Sequence, residues 1–186
     1  MKTFFHILIL ISSTVFVCQI LAEAATKPSI DWRSAESIGN HIEIRQDAAH
    51  GEITYGPNFS TSNQFLSKNF SDIYLMRIVD LEGADHYTIY INARYNSKNF
   101  RSYESAVNAQ DEAKLPLQVL SKTGGNCSIA ICQYEEKLAI PLNFLYFFDG
   151  SVSGLNITIS GNRNDQIKIP DAYFKAMLNA IPEEKI

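Results

Sequence analysis

"HYTIYINARY", residues 86–95, alternates residue by residue, with Tyr87, Ile89, Ile91 and Ala93 at odd positions and Thr88, Tyr90, Asn92 and Arg94 at even ones. Successive side chains of an extended strand point to opposite faces, so this stretch predicts a strand with one face in a core and the other wetter. The same alternation recurs in short bursts: "HIEIR" at 41–45, "IYLMRIVDL" at 73–81, "LPLQVL" at 115–120, "EKLAIPL" at 136–142 and "GLNITIS" at 154–160. Turn formers stand between them, among them Gly56-Pro57-Asn58, Glu82-Gly83, Asn96-Ser97, Gly124-Gly125-Asn126, Asp149-Gly150 and Gly161-Asn162. A parallel sheet needs helical crossovers between its strands, and this spacing does not supply them. The expected fold is mainly β, an antiparallel β-sandwich or an open barrel.

One helix is predicted, near the end. Asp171 can cap "AYFKAMLNAI", in which Phe174, Met177, Leu178 and Ile181 fall on one stripe, and Pro182 stops it. That stripe belongs on the sheet. The run "LNFLYFFDG", 142–150, is the most apolar part of the chain after its start, and reads as a buried strand or a short helix. Residues 25–37, with Pro28, Ser29, Ser34 and the lone Trp32, read as an arm leading into a single β-rich domain over 38–186, and Trp32 reads as a packing residue.

The first 24 residues read as an export signal: Lys2 is the positive start, Phe4 to Leu21 is mostly apolar, and Ala22-Glu23-Ala24 offers the small residues read before cleavage ahead of Ala25. Two alternatives stay open. The apolar stretch just reaches the length of about 17 residues that spans a bilayer, although His6, Ser12, Ser13, Thr14 and Gln19 dilute it. Cys18 would suit a lipid anchor, but Val17 stands where a small residue is wanted. Loss of residues 1–24 removes Lys2 and Glu23 together, so the net charge stays at -4. An acidic chain of pI near 5.5 with no basic run is poorly suited to nucleic acid, which is bound through clustered Lys and Arg. The expected location is the periplasm or the outside of the cell, with the membrane met only through the signal peptide.

Cys127 and Cys132 are separated by four residues, which departs from the C-x-x-C spacing of redox and zinc sites. His41, His50 and His86 are scattered, so neither a metal nor a cofactor is expected. In an exported chain an even pair of cysteines forms a disulfide. Five residues of extended strand would hold the two α-carbons about 16 Å apart, beyond the limit of about 7 Å, so if they pair, "SIAI" between them must be a loop and not a strand. The apolar tip Ile129-Ala130-Ile131 is then either tucked on the core or displayed to a partner.

Catalytic motifs fail one by one. "GSVSG", 150–154, puts Val152 where a nucleophile serine belongs, and "TGG" lacks a following Lys-Ser or Lys-Thr pair. Asp85 and His86 are adjacent, which points their side chains to opposite faces of a strand. The sequons at Asn58, Asn69, Asn126 and Asn156 carry weight only in a eukaryotic source. What stands out is "YTIYINARYNSKNFRSYES", 87–105, dense in Tyr and Arg, the residue types that most often carry interface energy. Tyr90, Asn92 and Arg94 share the wetter face of the strand, and Tyr90, Arg94 and Arg101 are the candidate binding residues, for a protein or a carbohydrate. The structural alternative is that Arg94 merely pairs with a carboxylate such as Glu104.

"NFRSYESA" (99–106), Cys-x4-Cys followed by "QYEE" (133–136), "LAIPL" (138–142) and "IKIPDAYFKAML" (167–178) together resemble a group of uncharacterised exported proteins of Gram-negative bacteria. The C-terminal third is also similar to invasion-associated B-type bacterial proteins, but their additional cysteines are missing and no virulence role carries over. The first resemblance implies an exported β-rich protein and supplies no catalytic residue. The functional expectation is a binding or interaction protein; the alternatives are a subunit of an envelope or surface assembly, and a hydrolase whose site is assembled only in space.

Overall fold

A computed structural model of the chain describes residues 29–61, 69–129 and 131–180. The leader with Cys18 and Ala25, and Ile181 and Pro182 of the predicted helix end, lie outside them. The stretch 86–95 is the centre of a longer strand, β4 (Asp85–Ser97); on its even parity Thr88 and Tyr90 are half-buried and Arg94 exposed, but Asn92, expected on the wetter face, is buried against Asp72. Tyr87, Ile89, Ile91, Ala93 and Tyr95 are buried in the core.

Before β4 come α1 (Ala35–Gly39), β1 (Glu43–Asp47), β2 (Gly51–Tyr55) and β3 (Phe70–Val79). After it come β5 (Ser105–Asn108), β6 (Lys114–Leu115), β7 (Gln118–Ser128), β8 (Ile131–Leu142), α2 (Phe144–Ser153), β9 (Leu155–Ser160), β10 (Asp165–Ile169) and α3 (Asp171–Asn179). The strands form a six-stranded sheet of order β1-β2-β3-β4-β8-β7 and a four-stranded sheet of order β10-β9-β5-β6. Every pairing is antiparallel, and the sheets do not close into a barrel. One core takes Ile73 and Leu75 from β3, Leu138 and Ile140 from β8, Ile157 and Ile159 from β9, Ile167 from β10, and Tyr173, Phe174 and Met177 from α3. Each such fully buried side chain contributes about 1.5–3 kcal/mol.

Several expectations change. The strand expected over 115–120 is two strands in different sheets: β6 ends at Leu115, β7 begins at Gln118, and Pro116, which has no N–H to offer a ladder, stands at the crossing. Asp171 does not cap α3. The cap position is Pro170, and Asp171 lies in the first turn, where it meets Lys175 at 2.7 Å. Residues 29–37 of the arm, the part described, pack onto the domain. Ser34 caps α1 by accepting the Ser37 N–H, and Trp32 packs edge-on to Phe59 and Tyr173 at centroid distances of 4.8 and 5.3 Å.

The 142–150 run is helical from Phe144, with the Asn143 side chain accepting the Tyr146 N–H. It is not buried as a whole: Phe147, Gly150 and Ser151 face inward, while Phe144, Leu145, Phe148 and Val152 are exposed. Gly150 is what lets α2 approach α3, because a Cβ there would stand 2.9 Å from the Phe174 ring. Among the described residues no helix is long and apolar enough to cross a membrane.

Candidate ligand-binding face

The even side of β4 opens away from the core. Its neighbours on that side follow from register: Tyr74 and Met76 of β3 lie opposite Tyr90 and Thr88, and Ala139 and Pro141 of β8 lie opposite the same two residues. One strand further out, Tyr55 lies opposite Met76 and Ile53 opposite Ile78. None of these side chains belongs to the core cluster. Three half-buried tyrosines with Met76 and Pro141 therefore form a platform on the side of the sheet turned away from that core, with Ile53 and Ala139 buried among them.

Tyr74 and Tyr90 stack with centroids 4.7 Å apart and planes at 13°. Burial by its neighbours, then the nearby Tyr90 and Asp72, push the Tyr74 hydroxyl up to about 12. Arg45 lies over the Tyr55 ring at 5.3 Å. Beyond the tyrosines the face becomes charged. Arg94 Nη2 donates to Glu135 Oε2 at 2.9 Å, and Lys137 Nζ lies 3.7 Å from Glu135 Oε1. The Arg94 hydrogen bond is the main cause holding the Glu135 carboxyl below its usual range. Asn92 donates to Asp72 Oδ2 at 3.1 Å, and among the described residues its own buried Oδ1 meets no hydrogen-bond partner. Tyr90, Asn92 and Arg94 thus share one face. The partner of Arg94 is Glu135 of the adjacent strand and not Glu104.

Arg101 is elsewhere. It is only 5% exposed, and its guanidinium lies 4.1 Å from the centroid of the Tyr95 ring, on the core side of β4. Nη1 donates to Asp165 Oδ2 at 3.0 Å and to the Tyr103 hydroxyl at 3.1 Å, and Nη2 donates to Asn69 Oδ1 at 2.9 Å. Alongside it, Glu136 is fully buried, accepts the Tyr95 hydroxyl and the Ser102 N–H, and faces Lys122 Nζ at 3.5 Å. Asp165 belongs to the four-stranded sheet and Tyr95 and Glu136 to the six-stranded one. The network therefore ties the two sheets together through the 98–104 loop, and Arg101 is a structural member of it.

Set beside protein-family models, curated proteins and solved structures, the chain matches none of them.

Among the described residues no group of three His, Cys, Asp or Glu side chains gathers where a metal ion would fit. His86 pairs with Asp80 at 2.9 Å, and Asp85 pairs with Arg77 at 2.7 Å, so the adjacent Asp85 and His86 serve different partners. Ser151 and Ser153 of "GSVSG" donate within α2 to the carbonyls of Phe148 and Asp149. Sequence reasoning missed Tyr55, Tyr74 and Met76. The signal was the parity of "IYLMRIVDL": Tyr74 and Met76 share one parity, while Arg77 falls on the other and marks that one as wet. Arg77 is in fact 2% exposed and neutralised by Asp85, which reverses the faces.

Proposed function

We propose that the chain is an exported binding module, an antiparallel β-sandwich that receives a carbohydrate or protein ligand on the open face of its six-stranded sheet. The observation that carries this reading is the Tyr74–Tyr90 stack, set with Tyr55 and Met76 outside the core cluster. Paired tyrosines offer flat apolar area with hydroxyls at the rim, and the Arg94–Glu135–Lys137 group beside them offers directed donors and acceptors. That combination suits the face of a sugar ring or an extended peptide. What supports an exported location, in the periplasm or outside the cell, is the export signal expected at residues 1–24.

The test is capture of the native ligand by the intact protein, compared with Tyr74→Ala/Tyr90→Ala. Lost capture with a melting temperature within a few degrees of wild type supports the reading. Unchanged capture refutes it. A second reading, a subunit of an envelope assembly, is favoured by the long edge strand β7, on which Val119 and Leu120 are exposed. Mass that rises with protein concentration and is lost with Leu120→Lys would favour that reading.

A further inference from the structure

The β7–β8 hairpin closes with Cys127 opposite Cys132 and Ser128 opposite Ile131, leaving a two-residue turn that begins at Ile129. Hairpin turns of that length ordinarily place Asn, Asp or Gly first, because φ is positive there. Ile129 holds φ 56°, which a branched side chain resists. Its side chain is fully exposed at 107%, and Ile131 is 52% exposed. The disulfide directly beneath clasps the turn in this state. Turn chemistry and exposure are both violated at one residue, beside a covalent clasp, which marks a tip shaped for use and not for its own stability.

The surroundings indicate the use. No charged residue occurs from Thr123 to Gln133. Below that collar, the Phe100 and Tyr134 rings lie 4.3 Å apart, and the Tyr134 hydroxyl donates to the Lys98 carbonyl at 3.3 Å. Ser97 is opposite Cys132, so Lys98 comes next along the hairpin toward its tip. The 161–164 turn is fastened to the same end, with Asn162 donating to the Phe100 carbonyl at 3.1 Å, and brings Arg163. Lys98 and Arg163 are exposed and form no ion pair among the described residues, whereas the carboxylates of Glu135, Glu136 and Asp165 are all matched by cations.

An exposed apolar apex in an uncharged stretch, with an aromatic pair and two exposed cations at the same end, has the make-up of a segment that meets a bilayer interface. An apolar socket on a partner protein would accept the apex but would leave the cations nothing to meet. We propose that this clasped hairpin inserts Ile129 and Ile131 into an anionic phospholipid surface, with Lys98 and Arg163 on the headgroups, a membrane contact separate from the leader.

The test places a tryptophan at the tip of the full chain, Ile129→Trp, and another at the opposite end of the same sheet, Leu81→Trp, where the native residue is 70% exposed. Trp32 is buried and gives a constant background. Vesicles of phosphatidylglycerol and phosphatidylcholine with brominated acyl chains should quench residue 129 and leave residue 81 unaffected. Because the leader is common to both variants, any binding it causes cannot produce that difference. Lys98→Glu/Arg163→Glu should weaken the quenching severalfold, and Ile129→Asp, melting like wild type, should lower partitioning roughly tenfold or more. No quenching at residue 129, as a protein socket would give, or equal quenching at both positions, would overturn the proposal.

Discussion

Arg94 and Arg101 come from the same tyrosine- and arginine-rich stretch, and their surroundings assign them opposite energetics. Arg94 is half exposed, and its pair with Glu135 is screened by water, so Arg94→Ala should cost less than about 1 kcal/mol in urea unfolding. Removing Arg101 leaves Asp165 charged inside the protein, and Arg101→Ala should cost about 3–5 kcal/mol by the same measurement. Arg94 was legible because strand parity fixes where a side chain points. Arg101 follows the strand in a loop, where no period applies, and its partner is far along the chain in β10. Gly154 shows another local constraint that spacing does not disclose. Its φ is 72° and a Cβ would stand 2.7 Å from the Ile169 carbonyl oxygen, so Gly154→Ala should lower the melting temperature measurably, by about 1 kcal/mol or more in stability.

Among the elements, alternation found the strands β3, β4, β8 and β9, whereas "HIEIR", read as half-buried, gives an exposed β1, and "LPLQVL" divides between two sheets. β4 and β9 alternate cleanly. β10 is short, with Lys168 between two isoleucines, and exists because β9 supplies its ladder. Helix α2 misled for a related reason: its apolar run reads as core, yet its inward side is partly Gly150 and Ser151, and its large side chains face out. The cysteines announced a break in extension between them but not the hairpin: Ser128 and Ile131, expected in a loop, end β7 and begin β8. Closing so short a loop stabilises by only about 2 kcal/mol on the chain-entropy model. Reduction should therefore lower the urea midpoint modestly while the far-ultraviolet circular dichroism of the sheets persists; loss of the sheet signal would contradict this.

For the whole molecule, buried tyrosines set the alkaline limit. Burial is the first cause raising the hydroxyls of Tyr74, Tyr87, Tyr95, Tyr103 and Tyr173, with Tyr74 at about 12. An unfolded tyrosine ionises near pH 10, so the folded state holds these protons more tightly. The resulting stability is complete below about pH 10 and is lost as pH rises toward the folded values. Urea midpoints should fall as pH rises from about 10 to about 12, and phenolate absorbance should rise together with unfolding. The sheet to which each strand belongs was the least legible property, because the chain passes from the six-stranded sheet into β5 and β6, back for β7 and β8, and out again for β9 and β10. That weaving has a consequence for biosynthesis. β5 pairs along its length with β9, and β4 with β8, so the nascent polypeptide meets its long-range partners only late in translation. Resistance to protease on stalled ribosomes should appear only after β10 has emerged. Until then the polypeptide remains slack enough to be threaded through a secretory pore.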